Sequence, residues 1–280
     1  MPETTPPTYG GSAGASATVG AQVSFALHEP ARIALQIVAA NDDGRQLTAW
    51  IDGAALPLHE VLGPEPYSRQ HLVDAPPGEL VITYAATVLP GSGAATRVDE
   101  AEHLLMLRPS RFCPADRLID YGGSRFPGPD ADPLSRLQAI TDYVSKHVDY
   151  VSGSSGPTDD ALDVLLSGRG VCRDYAHLVV TLARAQGMAA RFVAVYAPGL
   201  SPMDFHAVAE IEVDGTWHVV DATRLAPRGS LVRICTGRDA ADTAFATTLS
   251  GAADLVGLTV TAVADHGLST DNGHNAAILT

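Results

Sequence analysis

The 280-residue chain predicts an α+β protein: an N-terminal all-β module followed by helices packed on an antiparallel sheet. Three observations carry this. From Ala21 to about Leu107 the pattern is that of strands, and no helix of length is convincing there. Between Asp132 and Gly187 three segments carry helix caps and stops. After Gly187 the strand pattern returns, with an Asp-Gly turn in its midst.

Residues 1–20 are rich in Pro, Gly, Ser, Thr and Ala and read as a flexible tail. In the domain expected over 21–107, Arg32–Val38 alternates apolar and polar, and Leu80–Val88 is rich in β-formers. Asn41–Gly44 and Pro76–Gly78 mark turns. This is expected to be a sandwich-like domain without a chemical motif of its own. Residues 108–130, rich in Pro, Gly and Arg, read as a connection. Asp132 can cap a helix with Pro133 at its first position, running to about His147. Thr158, followed by Asp159 and Asp160, opens a second helix that stops near Gly168. The third runs from Cys172 to Gly187, a natural stop. Its Ala176, Val179, Val180, Leu182 and Ala183 leave little polar surface, so it is expected to be central and buried. Strands are expected at Arg191–Tyr196, Phe205–Val213, Thr216–Thr223, Leu231–Ile234 and Leu258–Val263. The second domain is placed at 108–265, and 266–280 reads as a second loose tail.

Composition narrows the function. Hydrophobic residues make up 46%, enough for real cores. Thirty-two acidic against 18 basic residues give a net charge of -14, which disfavours nucleic acid or an anionic membrane as partner. No apolar run has membrane-spanning length, and MPETTPPTYGGSAGASATVG lacks the basic start and apolar core of a secretory signal. Three cysteines, Cys113, Cys172 and Cys235, are too sparse for a disulfide framework and point to reduced thiols in a cytoplasmic setting. No CxxC pair or His-rich tract suggests a structural metal, and no cofactor is expected.

The chemistry concentrates in GVCRDYAH, Gly170–His177. Cys172 opens the third helix, where unpaired N–H groups and the helix dipole favour an anion. Such sites favour the thiolate, and the flanking Arg169 and Arg173 would push the same way. Further on, Asp214-Gly215 signals a two-residue type I′ hairpin. Val213 then pairs with Thr216, Val208 faces Asp221 and His206 faces Thr223. His206 and Asp221 become diagonal neighbours on one face, within reach of a hydrogen bond. A one-residue slip would separate them. A thiolate attacks an acyl carbon, an imidazole carries the proton, and a carboxylate fixes the imidazole. The Cys172 backbone N–H suits an oxyanion, with Tyr150 and His147 as weak candidates for a second donor.

With these residues in view, the segment from about Leu107 to Gly251 resembles the bacterial transglutaminase-like superfamily, whose members are often described as cysteine proteases. LRPSRFCPADRL resembles the approach to that core, and GRGVCRDYAHLVVTLARAQGMAARFVAVY its nucleophile block. FHAVAEI resembles the histidine strand, WHVVDAT the aspartate strand, and GRDAAD a block that often follows. The resemblance implies a papain-like transglutaminase core in which Cys172 is the nucleophile, His206 the acid/base and Asp221 its orienting carboxylate. The N-terminal module resembles the extra domain these proteins often carry. Two positions depart from the pattern: Val208 stands where Trp is common, and Ala222 where Pro is common. The first touches substrate stacking; the second leaves the aspartate strand less rigid.

His177 lies five residues after Cys172, off its face, and reads as structural, as does Asp174 in the first helical turn. Cys113 and Cys235 read as bystanders, His218 lies on the opposite face from Asp221, and His266 and His274 read as solvated. The expected function is a thiol enzyme acting on a peptide or protein amide through a thioester, most simply a peptidase or amidase. Acyl transfer to an amine and a non-catalytic peptide-binding scaffold are the alternatives. The sequence leaves substrate and oligomeric state open.

Overall fold

The structure is a computed structural model and describes residues 16–42, 44, 46–63, 68–89 and 97–279. The tail expected over 1–15 lies outside them. The remainder of that expected tail is strand: β1 (Ala17–Leu27) opens a series continued by β2 (Ala31–Leu35), β3 (Thr48–Ile51), β4 (Ala54–Leu56), β5 (His59–Leu62), β6 (Arg69–Ala75) and β7 (Gly78–Val88). Period-two alternation builds them. In β7, Leu80, Ile82, Tyr84, Ala86 and Val88 turn inward while their neighbours face outward. β1 pairs antiparallel with β7, which pairs with β3 and then β4; β2, β6 and β5 form a second sheet. The inner faces share one core, to which each buried Val, Leu, Ile or Phe contributes about 1.5–3 kcal/mol.

Two short helices occupy segments read as strand pattern and connection. α1 (Glu100–Met106) is capped by the Asp99 carboxylate, which accepts from the Glu102 N–H at 2.8 Å. Met106 is buried with Ala189 and Trp217, so packing rather than length stabilises this helix. α2 (Ile119–Arg125) contains two glycines and is held by packing on the helix that begins at Cys172. A Cβ at Gly122 would come within 2.4 Å of the Gln186 side-chain amide, which would have to swing aside.

α3 (Pro133–His147) starts at the Asp132 cap, and α4 (Ala161–Ser167) starts at Asp160 rather than Thr158. The two-residue strands β8 (Asp149–Tyr150) and β9 (Arg169–Gly170) pair in parallel on either side of α4. α5 (Cys172–Ala185) is buried at every position from Asp174 to Ala185. It packs on β10 (Ala190–Tyr196) and β11 (Phe205–Val213), clustering Leu178 and Leu182 with Ile140, Val144 and Ile211. β12 (Thr216–Val220) and β13 (Val232–Gly237) complete an antiparallel sheet ordered β12-β11-β10-β13. Asp214 and Gly215 both take positive φ, 52° and 77°, as a type I′ turn requires, and Val213 pairs with Thr216.

The expected boundaries at 107 and 265 differ from the structure. β14 (Ala246–Ser250) pairs with β2, and β15 (Ala253–Ala264) pairs with β1 along its whole length. These strands complete the N-terminal sheets. Tyr196, Val232, Ile234 and Cys235 belong to the same apolar core as that module. The loose tail expected after 265 is also corrected: residues 266–279 return to the β12 edge, and Leu279 is buried among Val193, Val208 and Val219.

Candidate active site

Cys172 takes the first position of α5, after an extended Val171. Asp174, fully buried, fixes this start. Its Oδ2 accepts from the Val171 N–H at 2.8 Å and from the Ser155 hydroxyl at 2.5 Å. A Cβ at Gly170 would lie 2.7 Å from that of Asp174, so the approach to the cysteine needs glycine. Arg173 does not serve the thiol as expected. Its guanidinium bonds the Asp174 carboxylate at 3.0 Å and the Gly156 carbonyl at 2.8 Å. Asp174 and Arg173 thus tie the 151–156 loop to the helix start.

His206 sits at the beginning of β11 and Asp221 just beyond β12. The last ladder pair is Ala209 with Val220, and Asp221 follows it on the His206 face. His206 Nε2 donates to Asp221 Oδ2 at 2.9 Å. The other oxygen, Oδ1, accepts from the Thr223 N–H at 2.9 Å and the Thr223 hydroxyl at 2.7 Å. Thr223 thereby fixes the carboxylate across Ala222. The D-A-T order, an aspartate two residues ahead of a hydroxyl, is the sequence signal for this turn.

With Nε2 committed to Asp221, the proton-accepting nitrogen is Nδ1, which is buried without a closed hydrogen bond. Besides Asp221, the Cys172 side chain is the group that acts on the ring. Burial disfavours the imidazolium, but the bonds to Asp221 and Cys172 and their charges outweigh it, and the group is raised from 6.5 to about 10. The site is arranged to keep this histidine protonated beside a sulfur.

Tyr150 also converges here. Its phenol interacts with both the backbone N–H and the side chain of Cys172, and burial first, then charge on Cys172, pushes it up to about 12. It therefore stays a neutral donor. His147, the other weak candidate, faces away: its Nε2 bonds the Leu165 carbonyl at 2.8 Å, and its ring stacks on Tyr143. His177 is buried between Phe112 and Phe192, and its Nε2 accepts from the Ala240 N–H at 3.1 Å. Burial lowers it to about 3, so it stays neutral. Ala240, in the GRDAAD block, packs in one small cluster with Ala176, Ala207 and Cys172, making that block a wall of the site. Cys113 and Cys235 are buried, and burial pushes both thiols up to about 12. Among the described residues no group of three His, Cys, Asp or Glu side chains is placed to hold a metal, and no helix is long and apolar enough to cross a membrane.

A helix-borne cysteine beside an antiparallel sheet that carries histidine and aspartate on neighbouring strands defines the papain-like enzymes in general. Residues 124–222 match the family model of the transglutaminase-like superfamily core. Over 96% of its length the chain superposes on 99% of a protein from Cytophaga hutchinsonii described as a "putative cysteine protease", with a TM-score of 0.84 and 28% identity. An uncharacterized protein of Mycobacterium leprae is 30% identical over 91 residues, which is 32% of this chain and 32% of that protein.

Proposed function

We propose that the protein is a thiol hydrolase that cleaves a peptide or protein amide, with Cys172 as nucleophile, His206 as acid/base and Asp221 as the group that orients it. The observation that carries this is the His206 ring, bonded to Asp221 through Nε2 and left with Nδ1 free to exchange a proton with Cys172. The Cys172 sulfur attacks the amide carbonyl carbon, and its proton resides on His206 Nδ1. The Cys172 N–H and the Tyr150 hydroxyl hold the developing oxyanion, each such donor contributing about 3 kcal/mol. His206 then hands its proton to the leaving nitrogen as the C–N bond breaks, leaving a thioester. Water, deprotonated by His206, attacks the thioester; the acid leaves and the thiol is restored. The reading includes a reducing compartment such as the cytoplasm, which three unpaired cysteines suit.

Mass spectrometry after incubation with a peptide library, with and without an added amine, tests the reading. Hydrolysed peptides that accumulate in both conditions support it. Amine-linked products would move the assignment to acyl transfer. No product, together with ordinary thiol behaviour toward iodoacetamide, would leave a peptide-binding scaffold.

A further inference from the structure

We propose that Arg228 and Asp271 are positioning residues: their ion pair ties residues 266–279 to the loop after Asp221 and so holds that carboxylate against His206. The inference rests on the catalytic reading of His206 and Asp221 given above. β12 is the edge strand of its sheet, so Val219, two residues before Asp221, turns its N–H and carbonyl away from β11. Both groups are taken. The Val219 N–H donates to the Ala277 carbonyl at 2.8 Å, and its own carbonyl accepts from Arg228 Nη1 at 3.1 Å. The rest of the Arg228 guanidinium grips the returning segment. Nε and Nη2 form a two-pronged pair with the Asp271 carboxylate at 2.9 and 2.8 Å, and Nη2 also reaches the Asn275 carbonyl at 2.9 Å. The Arg228 backbone N–H donates to Asp271 as well, at 2.8 Å.

Arg228 is thus a buried three-way clamp on the strand that leads to Asp221, on the loop that follows it and on the strap outside it. Ser230 and Ser269 add a second tie at 3.0 Å. A cavity of about 370 Å³ lies between loop and strap, with Asp221 and Asp271 both in its wall. The loop is therefore not backed by solid packing there, and its position depends on the clamp. Thr223 sets the carboxylate relative to its own turn; Arg228 and Asp271 set that turn relative to the sheet.

The test compares full-length wild type with Asp271→Asn, Asp271→Glu and Arg228→Lys. The readouts are the His206 midpoint by NMR of its imidazole, the Cys172 alkylation rate with iodoacetamide against pH, and the near-UV circular dichroism. Asp271→Asn is expected to stay folded, to lower the His206 midpoint by a pH unit or more, and to slow alkylation at neutral pH at least tenfold; Asp271→Glu restores most of both. Arg228→Lys keeps the charge, loses the fork and carries the same test should Asp271→Asn unfold. A high wild-type midpoint that stays unchanged, with alkylation within twofold, in a folded variant overturns the positioning role alone. A wild-type Cys172 that alkylates no faster at neutral pH than an ordinary thiol overturns the catalytic reading beneath it.

Discussion

Replacing Asp221 by asparagine keeps the size of the side chain and removes the charge that opposes burial at His206. The imidazole is almost wholly buried, and burial is the largest single influence on it, acting against the proton. The hydrogen bond to Asp221 is the next largest, and the net result is a rise from 6.5 to about 10. At about 1.4 kcal/mol for each tenfold change in proton affinity, that preference is on the order of 5 kcal/mol. One opposite charge at this range accounts for roughly 1–3 pH units, so Asp221→Asn is expected to lower the midpoint by that amount. The assay is the imidazole resonance followed from pH 5 to 11. Alkylation reports the same change, because Cys113 and Cys235 are buried with raised thiols and stay silent. Reaction of Cys172 should begin at higher pH in the variant than in the wild type. The folded value lies above the unfolded one, so the pair stabilises the fold fully below about pH 6.5 and loses that contribution as pH rises through about 10. The variant should show a flatter dependence of urea stability over that window. An imidazole that titrates identically in the two proteins would refute the reasoning.

Cys172→Ala should abolish turnover of any peptide found to be cleaved, by roughly 10⁴-fold or more, with thermal stability little changed, as measured by product formation and a melting curve. Tyr150→Phe removes the hydroxyl proposed as second oxyanion donor and should lower kcat by about 10²–10³ while KM moves less; equal loss in binding would assign Tyr150 to substrate contact instead. Glu210→Gln takes the charge from between Arg191 and Arg233, which bond it at 2.7 Å each, and should cost about 3–5 kcal/mol in urea unfolding. Burial works against the Glu210 carboxylate, but the two arginines outweigh it and lower it from 4.5 to about 2. Its contribution is therefore present above about pH 4.5 and lost as pH falls through about 2, an acid limb that Glu210→Gln should flatten.

What was legible in the sequence was what neighbouring residues decide. Asp214-Gly215 sets a turn, the turn sets a register, and the register places His206 beside Asp221 across fifteen residues. The caps Asp132 and Asp160 and the apolar surround of α5 are local in the same sense. What escaped was decided at long range. Residues 266–279 read as a tail because Asp271 and Asn275 are polar, yet Arg228, some forty residues earlier, supplies their bonding partner. β15 carries a strand pattern that says nothing of which strand it joins; its partner is β1, at the other end of the described chain. α1 and α2 are too short to announce themselves by periodicity and exist because they pack on other elements, Met106 with Ala189 and Trp217 and α2 on α5.

That pairing of β1 with β15 sets the order in which the protein can form. Ala17 meets Ala264, so the contact that finishes the first sheet is among the longest in the molecule. Chains dominated by such contacts fold slowly, because loop closure must precede any gain from pairing. On the ribosome β1 and β7 can pair early, but the open flank of β1 stays unsatisfied until the sheet β12-β11-β10-β13 has been made. The sheet that β1 opens is therefore completed by β15 only after the intervening helices and strands have been made. Cleaving either part from the other would leave each with an unfilled edge, and the protein is expected to unfold as one cooperative body.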